Sequence, residues 1–150
     1  MDAEAAAVAP GCDGVKLIPN FLPSDSTPGS IEGLILGRTR GHIYRAAMEA
    51  LTYRLKNRLE KLEKVGGFKA SELLLVGGGA RNKIWTQMRA DILGLPILVS
   101  TVSESTVLGA AMYAMAGAGI YTTPEEARDA IGISYETTLP GEQQACYQAL

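Results

Sequence analysis

The sequence predicts an α/β domain, and three features of the chain support this fold class. From residue 72 onward, short apolar runs alternate with helical patterns, which is the β-α-β-α order of a layered α/β structure. A long amphipathic pattern precedes them between Ile43 and Leu62. The chain has 150 residues, of which 47% are hydrophobic and 20% charged, so it is long and apolar enough for one folded domain.

The first thirty residues carry few helix or strand signals. Residues 1–14 are rich in alanine and then in Gly, Cys and Asp, and we expect a poorly ordered start before a domain that spans residues 15–150. Four prolines between residues 10 and 28 predict extended, loop-like chain, because proline fixes φ and has no N–H to donate. The apolar run that begins at Ser30 predicts a short strand.

Apolar residues then recur at every fourth position, which predicts an amphipathic helix of about six turns. Gly66 and Gly67 end this helix, because glycine tolerates the left-handed conformation at a helix terminus. The stripe expected to face the core is formed by Ile43, Ala47, Leu51, Leu55 and Leu59.

The rest of the chain predicts two strands and three helices. The apolar run at residues 72–76 predicts a strand covered on both faces, and residues 96–99 predict a second strand. Helical patterns cover residues 84–93 and, with mostly small side chains, residues 104–118. Thr123-Pro124 supplies the cap and the first-turn residue of a last helix.

Composition excludes several classes of function. Fourteen basic against sixteen acidic residues give a formal net charge of -2, which leaves no basic surplus for binding nucleic acid. Cys12 and Cys146 are far apart and have no Cys or His nearby, so we predict no metal site and no disulfide framework, and expect a reducing, cytoplasmic location. The uncharged stretch from Ser105 to Pro124 has acidic flanks and many small residues, which indicates a buried helix and not a membrane span.

The sharpest local feature is a run of three glycines, Gly77 to Gly79, between a predicted strand and a predicted helix. A backbone without side chains can approach a ligand closely, and a helix start favours anionic or acceptor-rich ligands. The dinucleotide pattern G-x-G-x-x-G fails because Asn82 stands at the third glycine position, and the P-loop pattern fails because Ile84 follows Lys83. From the residues alone, a nucleotide-type ligand and a plain tight turn both remain open.

Several motifs resemble the FGGY family of carbohydrate kinases. The run Gly29–Glu49 fits the second signature of that family at each specified position. The segment Gly77–Pro96 is similar to the adenosine motif and the helix after it, and Glu104–Ala111 is similar to the small-residue helix. The resemblance runs in the family's order from about Gly14 to the C terminus. Residues 22–28 depart from it and predict a shortened loop.

The resemblance implies an α/β fold of the ribonuclease H-like (actin-like ATPase) type, of which this chain is the C-terminal lobe only. It implies a kinase that uses ATP with Mg²⁺ to phosphorylate a pentulose or hexulose, with the sugar bound mainly by an N-terminal half. The family's general base, an Asp, belongs to that half, and Asp13 is not assigned its role. We therefore expect no catalytic residue here and no activity from the chain alone. The residues that the resemblance assigns to the adenosine site are Gly77, Gly78, Gly79, Ala80, Arg81 and Asn82.

Two further hypotheses follow. A non-catalytic nucleotide-binding or assembly module is the alternative to a kinase domain. The high hydrophobic content of 47% and the net charge of only -2, which opposes association weakly, predict that the lobe self-associates, most simply as a two-fold dimer.

Other conspicuous residues have structural explanations. We expect His42 to act in the first turn of the long helix and Glu49 to be structural, while Trp85 and Met88 belong to the core. Arg81 fits either a stacking contact with a nucleotide or a solvated loop position.

Overall fold

The computed structural model describes residues 1–22, 27–102 and 104–150. The middle of the shortened loop predicted at residues 22–28 lies outside the described residues. The helices are Asp2–Ala6 (α1), Arg40–Gly66 (α2), Lys83–Leu93 (α3), Ser105–Gly117 (α4), Pro124–Ile131 (α5) and Gln144–Gln148 (α6). The strands are Lys16–Ile18 (β1), Ser30–Glu32 (β2), Leu73–Leu75 (β3), Ile97–Ser100 (β4) and Tyr135–Thr138 (β5).

The described residues form two small sheets. Strand β3 pairs in parallel with β4, which pairs antiparallel with β5, so that β3, α3 and β4 form a β-α-β unit. This confirms the predicted α/β order. Strands β1 and β2 form a separate antiparallel pair in which Leu17 lies opposite Ile31. Just after β2, Gly33 has a φ of 74°, and a Cβ there would overlap the carbonyl oxygen of Gly14.

The helix boundaries confirm the sequence-based expectations to within a few residues. Gly67 ends α2 and Gly94 ends α3, both in the left-handed conformation, with φ of 66° and 68°. Thr123 caps α5 by accepting a hydrogen bond from the backbone N–H of Glu126, and Pro124 is the first helical residue. The main core cluster joins α1, α2, α3 and α6 through Ala5, Met48, Met88, Ile92 and Tyr147.

The structure differs from the prediction for residues 1–14. Instead of a poorly ordered start, they form α1 and a short 3₁₀ turn at Cys12–Gly14, and the Ala5 and Cys12 side chains are completely buried. Gly41 lets α1 lie close to α2, because a Cβ there would be 2.8 Å from the Glu4 carbonyl oxygen, and a bidentate ion pair between Glu4 and Arg40 joins the two helices. The domain boundary at residue 15 stays a prediction.

The buried face of α2 is also different from the predicted stripe. Its core-facing residues include Arg45, Met48, Glu49 and Thr52, whereas Leu51 is 43% exposed. The four-residue spacing identified the helix correctly. It misassigned the face because the buried positions are partly polar and satisfy one another by hydrogen bonds.

Two elements that were expected to be covered lie open in this chain. Strand β3 was predicted to be buried on both faces, yet Leu74 is 49% exposed. Helix α4 was predicted to be buried, yet Met112 is its one buried residue among those described, and Tyr113 is 71% exposed. None of the helices within the described parts of the chain combines the length and the apolar character that a membrane crossing requires.

Candidate functional site

The three glycines lie in the connection between β3 and α3. Gly77 takes a φ of 85°, a value that L side chains rarely adopt, and redirects the chain at the carboxyl end of the strand. A single 3₁₀ turn, Gly78–Arg81, then leads into α3. The buried Ala80 anchors this turn, and its N–H donates to the carbonyl oxygen of Gly77. We call residues 77–82 the glycine loop.

One side of the glycine loop faces open space. A Cβ placed on Gly77 or on Gly78 would have no heavy atom within 4 Å, so a ligand can approach the backbone of both residues. At Gly79 a Cβ would be 3.5 Å from the Trp85 ring and 3.7 Å from the Arg89 guanidinium, which is ordinary contact. The loop is therefore open on one side and supported by α3 on the other.

The support from α3 consists of hydrogen bonds to two consecutive carbonyl groups. Arg89 Nη1 donates to the Gly79 oxygen over 3.1 Å, and Thr86 Oγ1 donates to the Ala80 oxygen over 3.1 Å. The Arg89 guanidinium also lies 3.8 Å from the centroid of the Trp85 ring. Neither Thr86 nor Arg89 was identified from the sequence, because only the fold brings their side chains to the loop.

Asn82 joins the loop to two other elements. Its Oδ1 accepts from the backbone N–H of Trp85 and so caps α3, while its Nδ2 donates to Asp2 and to the Tyr44 hydroxyl. Burial, followed by hydrogen bonding to Asp2, raises the pKa of Tyr44. Both N–H groups of the carboxamide are thus used within the protein, and in this chain Asn82 fixes the end of the loop.

The cavities next to the glycine loop are not the largest in the molecule. A cavity of about 520 Å³ lies between α3, β4 and β5 and is lined by Ala80, Arg81 and Ser100 among others. A larger one, about 780 Å³, lies between β1 and α2 and shares no residue with the loop. It is mainly an apolar groove, whereas the backbone of the loop is open and polar. As the place for a ligand, the cavity volume therefore favours the groove between β1 and α2, whereas the open polar backbone favours the glycine loop.

The signature residues of α2 form a buried polar network. Glu49 accepts from Arg45 Nε over 3.0 Å, from the Tyr147 hydroxyl over 3.0 Å and from the backbone N–H of Gly11 over 3.2 Å. Burial, and then the charge of Glu49, raise the pKa of Tyr147, which keeps its proton available to Glu49. Arg45 Nη1 also donates to the Ala5 carbonyl. The expected structural role of Glu49 is confirmed, because this network joins α1, α2 and α6.

His42 has the expected first-turn role. The Thr39 N–H donates to His42 Nδ1, and His42 Nε2 lies 3.2 Å from Asp13 Oδ2. Trp85 and Met88 lie in or against the core cluster, as predicted.

Comparison with known proteins decides the family. The model of the "FGGY family of carbohydrate kinases, C-terminal domain" matches residues 3–118. The chain belongs to this family. L-fuculokinase of Escherichia coli strain K12 is 47% identical over 137 residues, which are 91% of this chain and 29% of that protein. L-fuculokinase of Haemophilus influenzae is 48% identical over 103 residues, covering 69% of this chain and 22% of the relative.

Solved FGGY kinases confirm the actin-like ATPase fold. The xylulose kinase of Rhodospirillum rubrum superposes with a TM-score of 0.78 at 27% identity, covering 99% of this chain and 30% of that kinase. A Plasmodium falciparum glycerol kinase, solved with ADP, has a TM-score of 0.76 at 22% identity, covering 99% of this chain and 31% of that kinase. This FGGY chain thus spans less than a third of the length of the relatives that it matches.

Proposed function

We propose that this chain is the adenosine-binding C-terminal domain of an ATP-dependent L-fuculokinase. Such an enzyme transfers the γ-phosphoryl group of ATP to a hydroxyl of L-fuculose and yields ADP and the sugar 1-phosphate. The identity of 47% with L-fuculokinase, across 91% of the chain, is the observation that carries this proposal. A glycerol kinase of Citrifermentans bemidjiense reaches 38% over 79% of the chain.

The glycine loop is the proposed adenosine site. Gly77 and Gly78 offer an open backbone that a flat ring or a ribose can approach, and Ala80 keeps the turn in place. The Arg81 guanidinium lies at the exposed edge of the loop, 3.5 Å from Glu104, where it can lie along a nucleotide. Asn82 contributes by fixing the start of α3. These groups bind and orient the nucleotide, and positioning of this kind supplies much of the catalysis in phosphoryl transfer.

Mg²⁺ belongs to the proposal as a companion of the nucleotide phosphates. In the described parts of the chain, no three His, Cys, Asp or Glu side chains are grouped as a metal site. We propose that the ion binds together with ATP, and that the sugar and the general base are held by a part of the kinase that this chain does not match. We also propose that this kinase works in the reducing cytoplasm, where free cysteines such as Cys12 and Cys146 persist.

The test is Gly78→Val in the full-length kinase. A Cβ at Gly78 has no heavy atom within 4 Å and the backbone there is not left-handed, so we expect the domain to fold. The valine side chain projects into the open side of the glycine loop, so the KM for ATP rises while the KM for L-fuculose stays nearly constant. Gly117→Val, which introduces the same side chain at an open position near the end of α4, is the matched control. A change in the KM for the sugar alone would contradict the assignment.

A different sugar is the second candidate. The superposition on a xylulose kinase at 27% identity supports this alternative, in which the enzyme is another FGGY pentulose or hexulose kinase of the xylulokinase or rhamnulokinase type. ADP release by the full-length enzyme with L-fuculose, D-xylulose and L-rhamnulose separates these candidates. We expect turnover with L-fuculose, and no turnover with any of the three from the 150-residue chain alone. If the full-length protein phosphorylates none of the three sugars, the alternative of a non-catalytic nucleotide-binding or assembly module is favoured.

A further inference from the structure

A buried cation supports the closed side of the glycine loop. Arg89 is 9% exposed, and its guanidinium stacks on the ring of Trp85, one helical turn earlier in α3. From this position it donates a hydrogen bond to the Gly79 carbonyl. Helix α3 thus presents a rigid, charged donor to the middle of the loop.

Packing alone does not account for an arginine at this position. No carboxylate in the described parts of the chain pairs with Arg89, and burial lowers the pKa of its guanidinium. A buried charge without an acidic partner costs free energy, which the face of Trp85 and the Gly79 carbonyl offset. An unbranched apolar side chain would fill much of the same space without that cost. An apolar residue could not, however, donate the hydrogen bond that Arg89 makes to the Gly79 carbonyl of the loop.

Thr86 provides a second, independent attachment. It is 3% exposed, and its hydroxyl donates to the carbonyl of Ala80, next to the carbonyl that Arg89 holds. The C=O and N–H of a trans peptide point in opposite directions. The Ala80 C=O and the Arg81 N–H belong to one peptide group. Because the Ala80 oxygen points toward α3, the Arg81 N–H points away from α3. The two side chains therefore determine which backbone groups the loop presents to a ligand.

We propose that Arg89 and Thr86 are positioning residues that hold the glycine loop in its nucleotide-binding conformation. This inference rests on the proposed function, since it assumes that the loop binds the adenosine part of ATP or ADP.

The experiment uses the fluorescence of Trp85, the one tryptophan among the 150 residues. Because its ring lies under Arg89 and beside Gly79, its emission reports on the loop, and we measure it while titrating the chain with ADP. We expect Arg89→Met to weaken ADP binding about tenfold, as the loss of a hydrogen bond from a charged donor implies. Arg89→Lys keeps the charge and a donor and should fall between Arg89→Met and the wild type. Arg128→Met, at an exposed position of α5, should bind like the wild type.

The outcomes separate this inference from the proposed function. If the wild type gives no saturable response to ADP, the assignment of the glycine loop as the nucleotide site and this inference are both refuted. If the wild type responds and Arg89→Met binds within twofold of it, the inference alone is refuted, as it is if the lysine variant binds no better than the methionine variant. Urea unfolding shows whether Arg89→Met folds. If it does not, Thr86→Val decides: a severalfold weaker affinity supports the inference, and unchanged affinity overturns it.

Discussion

Glu49→Gln removes one charge from the polar network of α2 and keeps the shape of the side chain. In the wild type, three donors face the carboxylate, namely Arg45 Nε–H, the Tyr147 hydroxyl and the Gly11 N–H. Arg45 and Glu49 are 2% and 7% exposed, so water cannot replace the lost interactions. A glutamine accepts through one atom only, and its NH2 group must face one of the donors.

The size of the effect follows from the burial of this pair. Removing one member of a buried ion pair typically costs about 3–5 kcal/mol. Arg45 keeps its bonds to Ala5, Gln143 and Tyr147, which favours the lower end, about 3 kcal/mol. For a chain of this size such a loss lowers Tm by roughly 10 °C.

Urea unfolding followed by circular dichroism measures this loss. Glu125→Gln makes the same chemical change at an exposed position in the first turn of α5, and it should alter the free energy of unfolding by less than about 0.5 kcal/mol. A Glu49→Gln variant as stable as this control would refute the argument that the network holds α1, α2 and α6 together.

Three other predictions concern acidity, thiol reactivity and association. Hydrogen bonds from Lys69 and from the Ala70 N–H lower the pKa of Glu63 below its ordinary 4.5, so its stabilising contribution is present above that pH and is lost as the pH falls. The stability difference between wild type and Glu63→Gln should therefore shrink between pH 7 and pH 3, and a constant difference would contradict the pairing. Burial and the nearby Glu49 raise the pKa of Cys12, so iodoacetamide at pH 8 should modify the exposed Cys146 and spare Cys12 until urea is added, as peptide mass spectrometry would show. The exposed apolar residues on several faces predict self-association, most simply a dimer, and sedimentation showing a 15.9 kDa monomer at all micromolar concentrations would exclude it.

The elements could be predicted from the sequence because their signals are local. Apolar spacing, the left-handed glycines at positions 67 and 94, and the Thr123-Pro124 helix start each depend on residues within a few positions of one another. Order in residues 1–14 could not be predicted in this way. It depends on contacts of Ala5 and Glu4 with a helix about forty residues later in the chain.

The candidate site can be located only in part from the sequence, for the same reason. The glycine loop is one continuous stretch of sequence, and its resemblance to the adenosine motif of the family assigns it; that assignment stays a prediction. Its supporting residues are not contiguous: Thr86 and Arg89 reach back from α3, and Tyr44 and Asp2 come from two other helices. The exposure of Leu74 also could not be predicted from the local sequence. An apolar run indicates that a strand forms, but it does not show which other elements of this chain cover that strand.

Chemical-shift mapping of ADP on the ¹⁵N-labelled chain locates the nucleotide directly. We expect the largest amide shifts in the glycine loop, at Gly77 to Asn82, with small shifts along β1 and in the middle of α2. Shifts concentrated in the larger groove between β1 and α2, at residues such as Leu17 and Tyr53, would contradict it, as would a spectrum that ADP leaves unchanged.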